Sequence, residues 1–89
     1  MANEFAKSPW ILDTAAVIRT DPVLIKRMEY HPAATGNTVT IEDADGDISW
    51  TRTAVYDASS DGVQVWDQEA IFDGFELAVI SAGTLYVWV

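Results

Sequence analysis

The chain has no cysteine and a single histidine, His31. The absence of thiols excludes a disulfide framework and thiolate chemistry, and leaves no redox mark of a compartment. One histidine without a cysteine offers no nucleophile and base pair, and His31, followed by Pro32, reads as a polar residue at a strand end. Basic side chains are scarce as well: five lysines and arginines stand against fourteen aspartates and glutamates, a net charge of −9. Such a surface repels phosphate backbones and anionic lipid, and Lys26-Arg27 is too small a cluster to reverse that. Nucleic acid and membrane partners are therefore disfavoured, whereas basic protein surfaces and divalent cations remain compatible. No apolar run is long enough for a membrane span or a signal-peptide core, so the expectation is a soluble protein without a cleaved export signal. Carboxylates are plentiful enough for acid and base work, but a hydrolase needs a cleft that a domain this small rarely builds alone. Neither enzyme activity nor a cofactor is expected.

What is present points to β-structure. The 89 residues make one domain, and a chain of this length buries only about 60 to 65% of its unfolded surface. Apolar residues make up 49% and aromatics 11%, with four tryptophans, enough for a thin core and too much for disorder.

The chain is organised around residues 38–53, TVTIEDADGDISWTRT, which read as a hairpin turning at Asp45-Gly46. An Asp-Gly pair between alternating apolar runs favours a type I′ turn, in which both central residues take positive φ. That pairing sets Ile41 opposite Trp50, Val39 opposite Arg52 and Asp43 opposite Ile48. Val39, Ile41, Ile48 and Trp50 then share a buried face, while Thr38, Thr40, Glu42, Ser49, Thr51 and Thr53 share a wet one. A four-residue loop keeps this pairing; a three-residue bulged turn shifts it by one.

Residues 1–9 read as a polar arm that a partner would order, and residues 10–89 as the β domain. A short strand, WIL, opens the domain. Residues 14–19 (TAAVIR) suit a strand or one or two helical turns. Asp21-Pro22 is read as a break. In residues 23–31, VLIKRMEYH, the apolar phase slips between Ile25 and Met28, which predicts a bulge near Lys26-Arg27 or a strand covered on both sides. After a loop over residues 32–37 and the hairpin, whose second strand continues to Val55 or Tyr56, come a polar loop over 57–62, a strand over 63–66 and a brief one over 70–72. A turn at Asp73-Gly74 precedes strands over 75–80 and 84–89. All five glycines fall at these turns and none inside a strand. The fold class is all-β: a small sandwich or barrel of seven or eight short antiparallel strands, with a jelly roll among the options. In the last strand Leu85, Val87 and Val89 point one way and Tyr86 and Trp88 the other. Either that strand lies centrally between layers, or its aromatic face meets another chain or a ligand.

Three blocks resemble a family of small tailed-bacteriophage proteins encoded among virion genes. Residues 8–15, SPWILDTA, resemble the family's opening of Pro-Trp, aliphatics and Asp-Thr-Ala. Residues 41–50, IEDADGDISW, resemble its Asp-Gly hairpin ending in Trp, and residues 73–89 resemble its Asp-Gly-aliphatic segment and closing Ser-Gly-Thr-Leu-Tyr-Val-Tyr strand. Trp88 replaces the usual Tyr and the DADGD turn is acid-rich; both departures leave the fold reading intact. The resemblance implies a structural protein of the virion, made in the host cytoplasm. A head decoration or cement protein is the leading role, with a tail or neck component as the other. Its partners would be the major capsid protein and copies of itself, with a trimer favoured by analogy. The family carries no catalytic residues.

The interface candidates are Phe5, Trp10, Tyr86 and Trp88, and deleting residues 1–10 is expected to weaken particle binding while sparing the fold. A different class of function, a carbohydrate-binding module, would use Trp10, Trp66, Tyr86 and Trp88 as a stacking platform. The acidic tip of Glu42, Asp43, Asp45 and Asp47 supplies hard oxygens, with Asp43, Asp45 and Asp47 the calcium candidates. It lacks the EF-hand spacing, and a solvated turn explains the same residues, so no metal is expected.

Overall fold

Period-two alternation sorts most of this chain into strands with one buried side. The computed structural model describes residues 3–54 and 62–89. It contains β1 (Trp10–Leu12), β2 (Ala16–Ile25), β3 (Arg27–His31), β4 (Thr38–Glu42), β5 (Ile48–Thr53), β6 (Gln64–Trp66), β7 (Ala70–Ile80) and β8 (Thr84–Trp88), with no helix among the described residues. A front sheet in the order β1-β8-β3-β6 faces a back sheet in the order β2-β7-β4-β5, every pairing antiparallel. The chain is thus an all-β sandwich, and the ambiguous TAAVIR segment contributes the start of β2.

The core lies between the two inner faces. Met28, Tyr30, Leu85 and Val87 of the front sheet and Val39, Ile41, Phe75 and Leu77 of the back sheet are fully buried. A chain of rings crosses the layer from sheet to sheet: Trp10 meets Phe75 edge-on at 5.4 Å, Phe75 stacks on Phe72 at 6.1 Å, and Phe72 meets Trp66 at 5.5 Å. Trp66 in turn meets Trp50 at 6.5 Å. Aromatic pairs in such arrangements add about 0.5 to 1.5 kcal/mol each beyond their buried area, which matters in a core this thin.

The hairpin departs from the type I′ expectation. The Gly46 N–H donates to the Asp43 carbonyl and the Asp43 N–H to the Asp47 carbonyl, at 3.1 and 2.9 Å, which closes a three-residue loop. Only Gly46 takes positive φ (85°), Asp45 does not, so the turn is the bulged form that shifts pairing by one. Glu42 therefore faces Ile48, in place of the expected Asp43. Ser49 is then an extra residue in β5, and beyond it the expected pairs Ile41 with Trp50 and Val39 with Arg52 are in place. The slip turns Ile48 out of the core, where it is 62% exposed, while Val39, Ile41 and Trp50 stay inside.

Two expected interruptions lie inside strands. Asp21-Pro22 sits within β2, an edge strand where a missing N–H costs no ladder bond, and the pairing with β7 shifts on either side of Arg19. Asp73-Gly74 sits within β7, with Gly74 at φ 97°. A Cβ there would stand 2.8 Å from the Ala44 Cβ, and the Ala44 N–H donates to the Asp73 carbonyl at 2.8 Å. Gly74 is accordingly a kink against which the hairpin tip packs, and the two expected strands form one of 11 residues. The phase slip between Ile25 and Met28 has a third cause: the chain changes sheets there, and Ile25, Met28 and Tyr30 all point into the core.

Residues 3–9 fold back on β1. Glu4 and Ile11 exchange two backbone hydrogen bonds of 2.8 and 2.7 Å. Asn3 Oδ1 accepts from the N–H groups of Asp13 and Thr14, and its amide donates to the Thr14 carbonyl. The segment is held by its own chain, without a partner. Val55, Tyr56 and all but the last residue of the 57–62 loop, for which sequence expectations were given, lie outside the described residues.

Candidate functional site

Cross-strand partners in a sheet project to the same side, so register decides which side chains share the outer surface. In the front sheet β8 is central, between β1 and β3. Leu85 and Val87 face the core, which leaves Tyr86 and Trp88 half-buried on the outside. Register sets Tyr86 between Ile11 and Glu29, with Val65 beyond Glu29, and sets Trp88 beside Arg27. The two rings lie 6.4 Å apart and 35° from coplanar. His31 meets Tyr86 edge-on at 5.1 Å.

A polar strip runs along β3 beside these rings. Arg27 donates to Glu29 at 2.8 Å and contacts Asp67 at 3.0 Å, while His31 Nε2 and the other Glu29 oxygen share a hydrogen bond of 3.0 Å. The bond from His31, followed by that from Arg27, holds the Glu29 carboxyl below the usual carboxylate range. Each charged group of the strip has a partner within 3.0 Å, so covering it leaves no ion unpaired. Two rings flanked by fixed donors and acceptors can press on an apolar protein surface or stack on a sugar ring.

The four expected contact residues do not stay together. Tyr86 and Trp88 form the centre of this face. Phe5 is 46% exposed on the folded-back segment, where with Ala6, Pro9 and Ile11 it lines an apolar groove of about 670 Å³. Ile11 belongs to both the groove and the Tyr86 row, so the two surfaces are continuous. Trp10 lies elsewhere: at 3% exposure it is a core residue against Phe75, and the indole is sealed from outside contacts. Trp66 also belongs to the interior ring chain.

At the acidic tip, Asp43 Oδ1 accepts from the N–H groups of Asp45 and Asp47, at 2.9 and 3.0 Å. That carboxylate shapes the turn. Among the described residues no three acidic or histidine side chains are arranged to hold a metal ion.

Sequence reasoning missed Ile11, Arg27, Glu29 and Val65. The period-two pattern of RMEYH already sets Arg27, Glu29 and His31 opposite Met28 and Tyr30. The missing information was that β3 lies next to β8. Comparison with known protein families, curated proteins and solved structures finds no match to this chain.

Proposed function

We propose that this chain is a non-catalytic structural protein of a tailed-bacteriophage particle, a head decoration or cement protein that holds shell subunits through the outer face of the front sheet. The observation that carries this reading is the Tyr86 and Trp88 pair on the outside of a central strand, a place where an antiparallel sheet open to water usually carries polar side chains. The adjoining Phe5 groove extends that face, and the paired Arg27 and Glu29, with His31 hydrogen-bonded to Glu29, can be covered without loss of ion pairing. Two of the three blocks that resemble virion proteins contain β1 and β8, the strands that present Ile11, Tyr86 and Trp88. The charge of −9 favours a basic partner surface and keeps the exposed remainder soluble. The partner is the major shell subunit, and a trimer of this chain suits a threefold position of the shell.

The test is quantitative mass spectrometry of purified particles of the encoding phage, with this chain counted against the major shell subunit. A comparable count is expected for a decoration protein, and Trp88→Ala should lower it while leaving the melting temperature of the isolated protein nearly unchanged. About a dozen copies would move the protein to the neck or tail, where rings of limited copy number occur. Absence from the particle would overturn the reading.

The polar strip beside the rings also favours carbohydrate as a second reading, since hydroxyls need such donors and acceptors next to a stacking surface. Saturable quenching of tryptophan fluorescence by host polysaccharide, lost in Trp88→Ala, would select it.

A further inference from the structure

The back sheet has an outer face that the reading above leaves unused. One row of side chains crosses all four strands in the order Val17, Glu76, Glu42, Ile48. The ends of the row are exposed aliphatics, Val17 at 59% and Ile48 at 62%. Its centre is two half-buried carboxylates on neighbouring strands. Like charges directly opposite one another destabilise a sheet, and no ion pair among the described residues relieves these two. Arg19 pairs with Asp21, Arg27 with Glu29 and Asp67, and Arg52 lies over the Trp50 ring.

We propose that this face binds an extended polypeptide segment of the pattern aliphatic-x-Lys/Arg-x-aliphatic, laid across the strands with its cation between Glu42 and Glu76. Charge complementarity selects the cation, and spacing selects the pattern. Three strand separations of about 4.8 Å set Val17 and Ile48 roughly 14 Å apart, close to the roughly 13 Å between residues i and i+4 of an extended chain. The central residue, i+2, then falls over the carboxylates. A second copy of this chain is a poor occupant, because two such faces brought together would oppose four carboxylates. The proposal is independent of the particle reading and of the Tyr86 and Trp88 face.

The experiment is a titration of the ¹⁵N-labelled full chain with the end-blocked peptide GVTKTIG, followed by NMR at low salt. Saturable amide shifts are expected at Val17, Glu42, Ile48 and Glu76, and none with the peptide in which Lys is replaced by Glu. Glu42→Gln and Glu76→Gln together should weaken binding about tenfold, with the spectrum of a folded chain retained. Each single variant serves as a check should the pair perturb the sheet. Shifts concentrated at residues 43–47 or on the front sheet would overturn the proposal. So would undiminished binding by the glutamine variants, or no saturable shift in the parent chain.

Discussion

At Gly83 there is no room for a methyl group. The residue has φ 92°, and a Cβ built there runs into the His31 carbonyl oxygen and comes within 2.8 Å of the Pro32 Cα. Gly36 has nearly the same φ, 90°, with nothing within 4 Å. The pair separates backbone strain from crowding. Gly36→Ala should cost about 1 kcal/mol, the left-handed penalty alone. Gly83→Ala should cost about 3 kcal/mol or more, since overpacking against backbone adds to that penalty. Urea unfolding midpoints of the two variants check the difference. Crowding of this kind was invisible in the sequence, which marks both glycines alike as turn residues. Trp10 was illegible for a related reason: its burial depends on β1 pairing with β8 and on Phe75, both more than sixty positions away in the chain.

The hairpin joins a shifted tip to an unshifted base, and Ser49 absorbs the difference. Removal of Ser49 should therefore leave a regular ladder with Glu42 still facing Ile48 and Ile41 still facing Trp50, at a cost of about 1 kcal/mol for the lost bulge geometry. Removal of Thr51, one strand position past Trp50, should cost about 3 kcal/mol or more, because it forces Trp50 or the residues after it onto the wrong face. Thermal melts of the two deletions decide the matter, and equal destabilisation would show that the bulge does not buffer register. Elements of this kind were legible in approximate number, and alternation gave the buried side of β4; for β3 and β8 it separated the two faces, and the sheet order decides which one is buried. Irregularities were not. Asp21-Pro22 and Asp73-Gly74 each look like a chain break, yet Pro22 pairs with Asp73, so two apparent breaks are one matched irregularity across adjacent strands. A linear sequence carries each half of that pair without showing that they meet.

At the scale of the molecule, the two outer faces differ in chemistry: the front is aromatic with paired charges, the back aliphatic and acidic. The aromatic pair was readable from the alternation of residues 84–89, whereas the strip that borders it required the adjacency of β3 and β8. Residues 3–9 extend the front face without entering the core, but Trp10 does enter it. Truncation to begin at Trp10 should lower stability by only about 1 kcal/mol, through the lost Glu4 and Ile11 bonds, and, on the proposed function, should weaken binding to the particle because the Phe5 groove is gone. Truncation past Trp10 should cost about 3 to 5 kcal/mol as the aromatic chain loses its end. The expectation that residues 1–10 can be removed as a unit therefore fails at its last position. Calorimetry of the two truncations, with binding measured on the first, checks both effects.

The central place of β8 bears on how the protein is made. β1 and β3 emerge from the ribosome well before β8, the last of the described strands, yet both take it as a sheet neighbour. The four described strands of the back sheet are all present once β7 has been synthesised, while β1 and β3 still lack the strand that joins them. During that interval Met28, Tyr30 and the inner side of β7 have only a partial cover, and non-local pairings of this type form slowly. The growing chain thus carries an open flank until β8 arrives, and the pairing of β1 and β3 with β8 closes the front sheet in one late step.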